Sequence, residues 1–204
     1  MNILALLFGT PARVRMMRLF VFNPHAAFTA EEVGERTQAF PSYVRNELII
    51  MQKMGLIKKK PVVRAAGKKQ GIKAKNRRLQ GYMLDEHFPY LRELESLITN
   101  TVPLKSGYLM QKLQSVGRLK LIIVAGIFTE DPDSRVDLLI VGDNIRKSAL
   151  ENAIKFIEAE IGKELRYAAF ETTDFHYRLS VYDKLIKDIL DYPHHKVLDK
   201  LNVK

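Results

Sequence analysis

Ten of the chain's 33 Lys+Arg residues fall between Lys58 and Arg78, and no acidic residue interrupts them. They are Lys58, Lys59, Lys60, Arg64, Lys68, Lys69, Lys73, Lys75, Arg77 and Arg78. Outside this segment 23 basic residues face 23 acidic ones, so the segment carries the whole formal net charge of +10. The chemistry open to such a block is neutralisation of a polyanion, and nucleic acid is the commonest polyanion at a located basic site. The competing reading is a solvated like-charge linker. What separates the two is whether neighbouring elements hold the block in place.

Composition narrows the classes. At 204 residues with 47% hydrophobic content, the chain can build one large core or two small ones, which excludes global disorder. Cysteine is absent, so disulfides, thiolate nucleophiles and cysteine-ligated metals are excluded. Arg13, Arg15 and Arg18 interrupt the apolar opening MNILALLFGTPARVRMMRLF. No secretory-type core run and no membrane span is expected there, and the expected location is cytoplasmic.

The elements around the basic block follow from local signals. Pro11 opens a helix to about Phe22, with Val14, Met17, Phe20 and Val21 inward and the three arginines outward. Thr29-Ala30-Glu31-Glu32 is a capping-box pattern for a second helix through about Gln38. Ser42 is placed as the N-cap of a third helix over Tyr43–Met54, with Leu48, Ile49, Met51 and Met54 on its apolar side, and Gly55 ends it. A strand from Leu56-Ile57 and a return strand over Leu79–Leu84 then flank the basic block, with Gly67 and Gly71 giving freedom to turn at the tip.

This order, and the segments LFGTPARVRMMRLFVFNP, TAEEVGERT and SYVRNELIIMQKMGLIKKK, resemble the winged helix-turn-helix domains of bacterial and archaeal transcriptional regulators. The resemblance implies a recognition helix whose first turns reach base edges in the major groove. It nominates Ser42, Tyr43, Arg45 and Asn46 as DNA-binding. The lysines and arginines of Lys58–Arg78 become a wing that contacts phosphates without reading sequence.

Asp85–Ile98 reads as a connector helix with Phe88, Leu91, Leu94, Leu97 and Ile98 apolar and Pro89 in its first turn. Such a helix either pairs with its twin in a homodimer or packs between two domains of one chain. Thr101-Val102-Pro103 marks the expected boundary.

Beyond it, LKLIIVA (119–125) and VDLLIV (136–141) are buried-strand runs, 148–161 is an amphipathic helix, and 166–171 is a third strand. Helical material is expected over 173–201. The segment VAGIFTEDPDSRVDLLIVGD and its surroundings, about 119–190, look like the minimal nucleotidyltransferase domain of the DNA-polymerase-beta-like superfamily. That family needs two or three carboxylates to hold the metals of nucleotidyl transfer. Here the glycine is Gly126, but Ile127 stands for the phosphate-holding serine. Arg135 stands for the first aspartate, Asp137 keeps the second, and Arg166 lies where the third acid belongs. The resemblance therefore implies no catalytic residue, no metal and no cofactor. It leaves a vestigial pocket of Gly126, Arg135, Asp137 and Arg166, able to take a phosphorylated small-molecule effector, or else an oligomerisation surface. Asp143 and Glu171 are the two acids that could substitute as ligands, but Asp143, after Gly142, reads more simply as a turn and helix entry; His194-His195 reads as a surface loop, and Tyr177, Tyr182 and Tyr192 as packing residues.

The expected architecture is α+β. A winged helix-turn-helix domain over 1–84 and a connector over 85–102 precede a degenerate nucleotidyltransferase-like α/β domain with a mixed sheet over 103–204. The expected function is a regulator of transcription that binds double-stranded DNA as a homodimer. The alternatives are an active nucleotidyltransferase with a nucleic-acid-binding front domain, and an RNA-binding adaptor, since a basic wing does not separate DNA from RNA.

Overall fold

The computed structural model describes residues 3–65, 76–99, 106–129, 131 and 133–203. Lys68, Lys69, Lys73 and Lys75, the glycines at 67 and 71, and the expected boundary at 101–103 lie outside the described residues. The class is α+β, with helices around two separate sheets. The chain divides into two compact units, Met1–Val102 with Glu158–Lys163, and Pro103–Ile157 with Glu164–Lys204.

The first unit opens with α1 (Ile3–Phe8), a helix not expected from the sequence although Gly9, at φ +93, supplies its stop, and α2 (Pro11–Val21). Thr10 caps α2 by accepting from the Arg13 backbone N–H, and Pro11 fills the first position, where a missing N–H costs nothing. Val14, Met17, Phe20 and Val21 are buried as their spacing predicts. Arg18 is not outward: it is fully buried, and its guanidinium donates to the Glu160 carbonyl at 2.7 Å. A long side chain with a fixed acceptor can be interior even where the periodic pattern assigns it to solvent.

A two-residue strand, β1 (Phe28–Thr29), leads into α3 (Ala30–Thr37). Both halves of the capping box form, Glu32 N–H to Thr29 Oγ1 at 3.2 Å and Thr29 N–H to Glu32 Oε2 at 2.8 Å. Helix α4 spans Pro41–Lys53, starting earlier than Ser42 would set it. Proline at the first helical position pre-sets φ, so Phe40 becomes the N-cap and Ser42 falls inside the first turn. Strands β2 (Ile57–Ala65) and β3 (Asn76–Leu84) form a long antiparallel hairpin, with β1 on the outer side of β3. The next helix, α5, runs only over Leu91–Thr99. Two things delay it: Pro89 keeps Phe88 from helical geometry, and the Asp85 carboxylate ties back to the His87 N–H in a turn. Ile98 joins the buried cluster of Val14, Phe20, Val33, Leu48 and Met51, with Phe88, Leu91 and Leu94 against it.

In the second unit α6 (Ser106–Leu113) precedes β4 (Arg118–Val124) and β5 (Leu138–Asp143). The chain continues through α7 (Lys147–Ile161), whose end belongs to the first unit, and β6 (Tyr167–Glu171). Helices α8 (Thr172–Ser180) and α9 (Lys184–Asp191) follow, then β7 (His195–Asp199). The sheet order is β6-β5-β4-β7, parallel between β5 and β6 and antiparallel elsewhere. The all-helical expectation for 173–201 is corrected by β7. HKVLD has no strand signature of its own and is strand because it pairs along the free edge of β4. His195 consequently lies in a strand, not a surface loop. Phe175, Ile186 and Ile189 cover one face with Leu121, Ile123, Leu139 and Val141.

Candidate functional site

Helix α4 sorts its side chains by face. Val44, Glu47, Leu48 and Met51 are buried, whereas Ser42, Arg45, Asn46, Ile49 and Lys53 face water at three- and four-residue spacing. The burial of Glu47 fixes that orientation. Its carboxylate takes Arg13 Nε at 2.7 Å and Nη2 at 2.8 Å, a bidentate bond between α2 and α4. The same hydrogen bond holds the Arg13 guanidinium above its ordinary range. Tyr43 is turned the same way, its hydroxyl hydrogen-bonded to Thr10 Oγ1. Tyr43 is therefore a helix-packing residue, and of the four nominated α4 residues only Ser42, Arg45 and Asn46 are presented outward. Ile49 and Met54, read as apolar-side residues, are about half exposed.

The hairpin shows which basic residues are committed. Arg64 Nε donates to Glu32 Oε1 at 2.6 Å and Nη2 to the Ala27 carbonyl at 3.1 Å, which ties β2 to the start of α3. Burial alone would raise the Glu32 carboxyl; the bonds from Arg64 and the Thr29 N–H outweigh it and hold the group below the usual range. Lys58 Nζ lies 3.2 Å from Asp85 Oδ1. Lys59, Lys60, Arg77 and Arg78 are exposed, with no ion pair among the described residues. In the register Arg64 sits opposite Arg77. Like charges directly opposite are destabilising, and Glu32 pairs with Arg64 and not with Arg77.

The second unit brings the sequence-nominated residues together differently. Gly126 follows β4 with φ +56, and Asp137 precedes β5. A Cβ on Gly126 would stand 2.1 Å from Asp137 Oδ1, so only glycine leaves room for this carboxylate. Asp137 is 1% exposed, and its oxygens are fully engaged. Oδ1 accepts from the Ile127 N–H at 3.0 Å and Arg166 Nη2 at 3.2 Å; Oδ2 accepts from the Arg166 N–H at 2.8 Å and Nε at 3.3 Å. Arg135 points elsewhere and ion-pairs with Asp188 of α9. The two arginines of the nominated pocket therefore each serve a different internal carboxylate.

Other nominated groups are likewise committed. Both Glu171 oxygens accept backbone N–H groups, from Asn144 and Ile145 at 3.0 Å each, which fixes the turn into α7. Asp143 lies 3.4 Å from Lys120 Nζ. The neighbouring Thr172 hydroxyl, then that lysine, holds its carboxyl below the usual range. Tyr177, Tyr182 and Tyr192 are exposed, not packed. Among the described residues no three of His, Cys, Asp and Glu converge as metal ligands. No described helix is long and apolar enough to cross a membrane.

Sequence reasoning missed the partners Glu47, Asp188 and Asp85, and the exposure of Phe40. Glu32 was visible as a capping-box residue, but not as the partner of Arg64. Comparison with family models, curated proteins and solved structures returned no match.

Proposed function

We propose that this chain is a DNA-binding regulator of transcription, a winged helix-turn-helix unit followed by a nucleotidyltransferase-like unit without transferase activity. The observation that carries the reading is the division of labour in the first unit. Glu47, Tyr43 and Arg64 are spent on internal bonds that hold α4 and the hairpin, while Arg45, Asn46, Lys59, Lys60, Arg77 and Arg78 stay outward. Arg45 and Asn46 are the side-chain types that pair bidentately with guanine and adenine in the major groove. The hairpin cations are phosphate contacts that add affinity without sequence information. Each subunit holds one such helix, and a homodimer supplies the second half-site that useful specificity requires.

What supports the inactive second unit is the state of Asp137. Its lone pairs go to Arg166 and two backbone N–H groups, and an arginine in contact repels the cation that a transferase would need. The test is a mobility shift of random and selected duplexes by the full chain over a salt series, with RNA as competitor. The expected result is duplex binding that weakens linearly in log–log form with salt and survives RNA competition. A chain that retains RNA and not duplex is the adaptor instead. Incubation with labelled nucleoside triphosphates and Mg²⁺ or Mn²⁺ is expected to leave protein, tRNA and DNA unlabelled. Labelling abolished by Asp137→Ala overturns the inactive assignment.

A further inference from the structure

Several large apolar side chains stand on the outside of the first unit, and two of them lie at the head and on the outward face of α4. Phe40 is 83% exposed and Ile49 is 52% exposed. Ile49 shares the outward face of α4 with Arg45, Asn46 and Lys53. Phe40 is the N-cap residue of α4, yet it makes no side-chain capping bond. Its role at that position is not to satisfy the helix end, for which Ser, Thr, Asp or Asn would serve.

Backbone chemistry holds the Phe40 ring outward. The residue before a proline is excluded from helical geometry, and Phe40 has φ −65 and ψ 140 ahead of Pro41. Gln38, in the left-handed region at φ 51, makes the turn from α3 that brings the ring to the head of α4. A backbone fixed in this way removes the loop-ordering part of the cost when the side chain meets a partner. The cleft beside it, about 680 Å³, is lined by Glu31 and Glu35 as well as Phe40 and Arg45. Those carboxylates disfavour a phosphate there and leave the ring to a neutral, apolar group.

We infer that Phe40 and Ile49 read thymine through its C5-methyl group, adding to α4 a methyl contact that the hydrogen bonds of Arg45 and Asn46 to guanine and adenine do not supply. The inference rests on α4 being a major-groove helix. Thymine alone presents a methyl group in that groove, and phenylalanine and aliphatic side chains are its ordinary contacts. Phe40 sits at the N-terminal end, which lies nearest the base edges. Ile49 is nine residues further on, roughly 13 Å along the helix axis at 1.5 Å per residue. The two side chains accordingly address different base pairs.

The experiment uses the full chain and a duplex selected by it from a random pool, with each thymine in turn replaced by deoxyuridine. This change removes the methyl group and keeps every hydrogen bond. The expected result is a loss of roughly fourfold in affinity at one or two positions, the worth of one buried methyl. F40A abolishes the penalty at one position and I49A at another, and neither changes the salt slope. Deoxyuridine tolerated at every position, or penalties that persist in both variants, overturns the proposal. Should F40A leave all DNA affinities unchanged, the ring is a protein contact and the proposal also falls. Failure of the underlying reading has a different signature: no duplex, selected or random, is retained at any salt concentration, and the methyl inference falls with it.

Discussion

The outer surface of α4 and the β2–β3 hairpin differs from the strand-end site around Asp137 in what happens to charge. On the first, Arg45, Lys59, Lys60, Arg77 and Arg78 face water without an ion pair among the described residues. At the second, Asp137 is bound by Arg166, Arg135 by Asp188, and Glu171 by two backbone N–H groups. Charge left unpaired at a surface is available to a ligand, whereas charge already neutralised inside the fold stabilises the fold and has little to offer one. The sequence resemblance to nucleotidyltransferases leads to the second site, whereas the unpaired charge lies at the first.

Four changes test that contrast, beginning with the largest effect. Replacing Lys59, Lys60, Arg77 and Arg78 together by glutamine should flatten the log–log salt dependence of duplex binding by about 0.9 for each phosphate the hairpin then leaves unneutralised. If all four side chains neutralise a phosphate, a fourfold rise in salt then costs the variant on the order of 100-fold less affinity than it costs the native chain. Chemical denaturation should be unchanged. A native slope in the variant would erase the distinction between the two regions.

Gly126→Ala should act oppositely, on stability and not on binding. Its Cβ meets Asp137 Oδ1 at 2.1 Å, and φ +56 strains any side chain. The expected cost is about 2–3 kcal/mol in urea denaturation, with duplex affinity retained by the folded fraction. Arg45→Ala and Asn46→Ala should each remove about 1–3 kcal/mol of preference for a selected site over random DNA. Equal losses on both DNAs would move these residues to the phosphate-contact group.

The smallest effect sharpens the comparison within the hairpin itself. Arg64 belongs to the same basic run as Arg77 but is committed to Glu32. Arg64→Ala should lower stability by at most about 1 kcal/mol, since both partners are partly exposed, and leave the salt slope unaltered. The Glu32 carboxyl is depressed in the folded state, so its contribution is present above the ordinary value of 4.5 and lost as pH falls through the depressed value. The stability gap between native chain and Arg64→Ala should therefore close on acidification, as followed by denaturation at stepped pH.

Signals confined to a few neighbouring residues were legible without a structure. The Thr29–Glu32 capping box, Pro11 at the head of α2, the glycine after α4 and the net charge of the hairpin are of this kind. Each is a short-range matter of backbone donors, allowed φ or charge count, and the sequence by itself determined it. The apolar runs of β4 and β5 were equally plain, because a strand buried on both faces needs no alternation. What only tertiary structure decided are pairings across many positions. HKVLD became β7 by meeting the edge of β4, Arg18 became interior by finding the Glu160 carbonyl, and the exposed Arg64 was committed to Glu32. Asp137 and Arg166, 29 residues apart in sequence, share one ion pair because β5 and β6 run parallel with their starts side by side. A basic or acidic residue carries the same charge wherever it stands. Which oppositely charged group comes within about 3 Å of it, and so whether that charge remains for a ligand, is fixed only when the chain closes on itself.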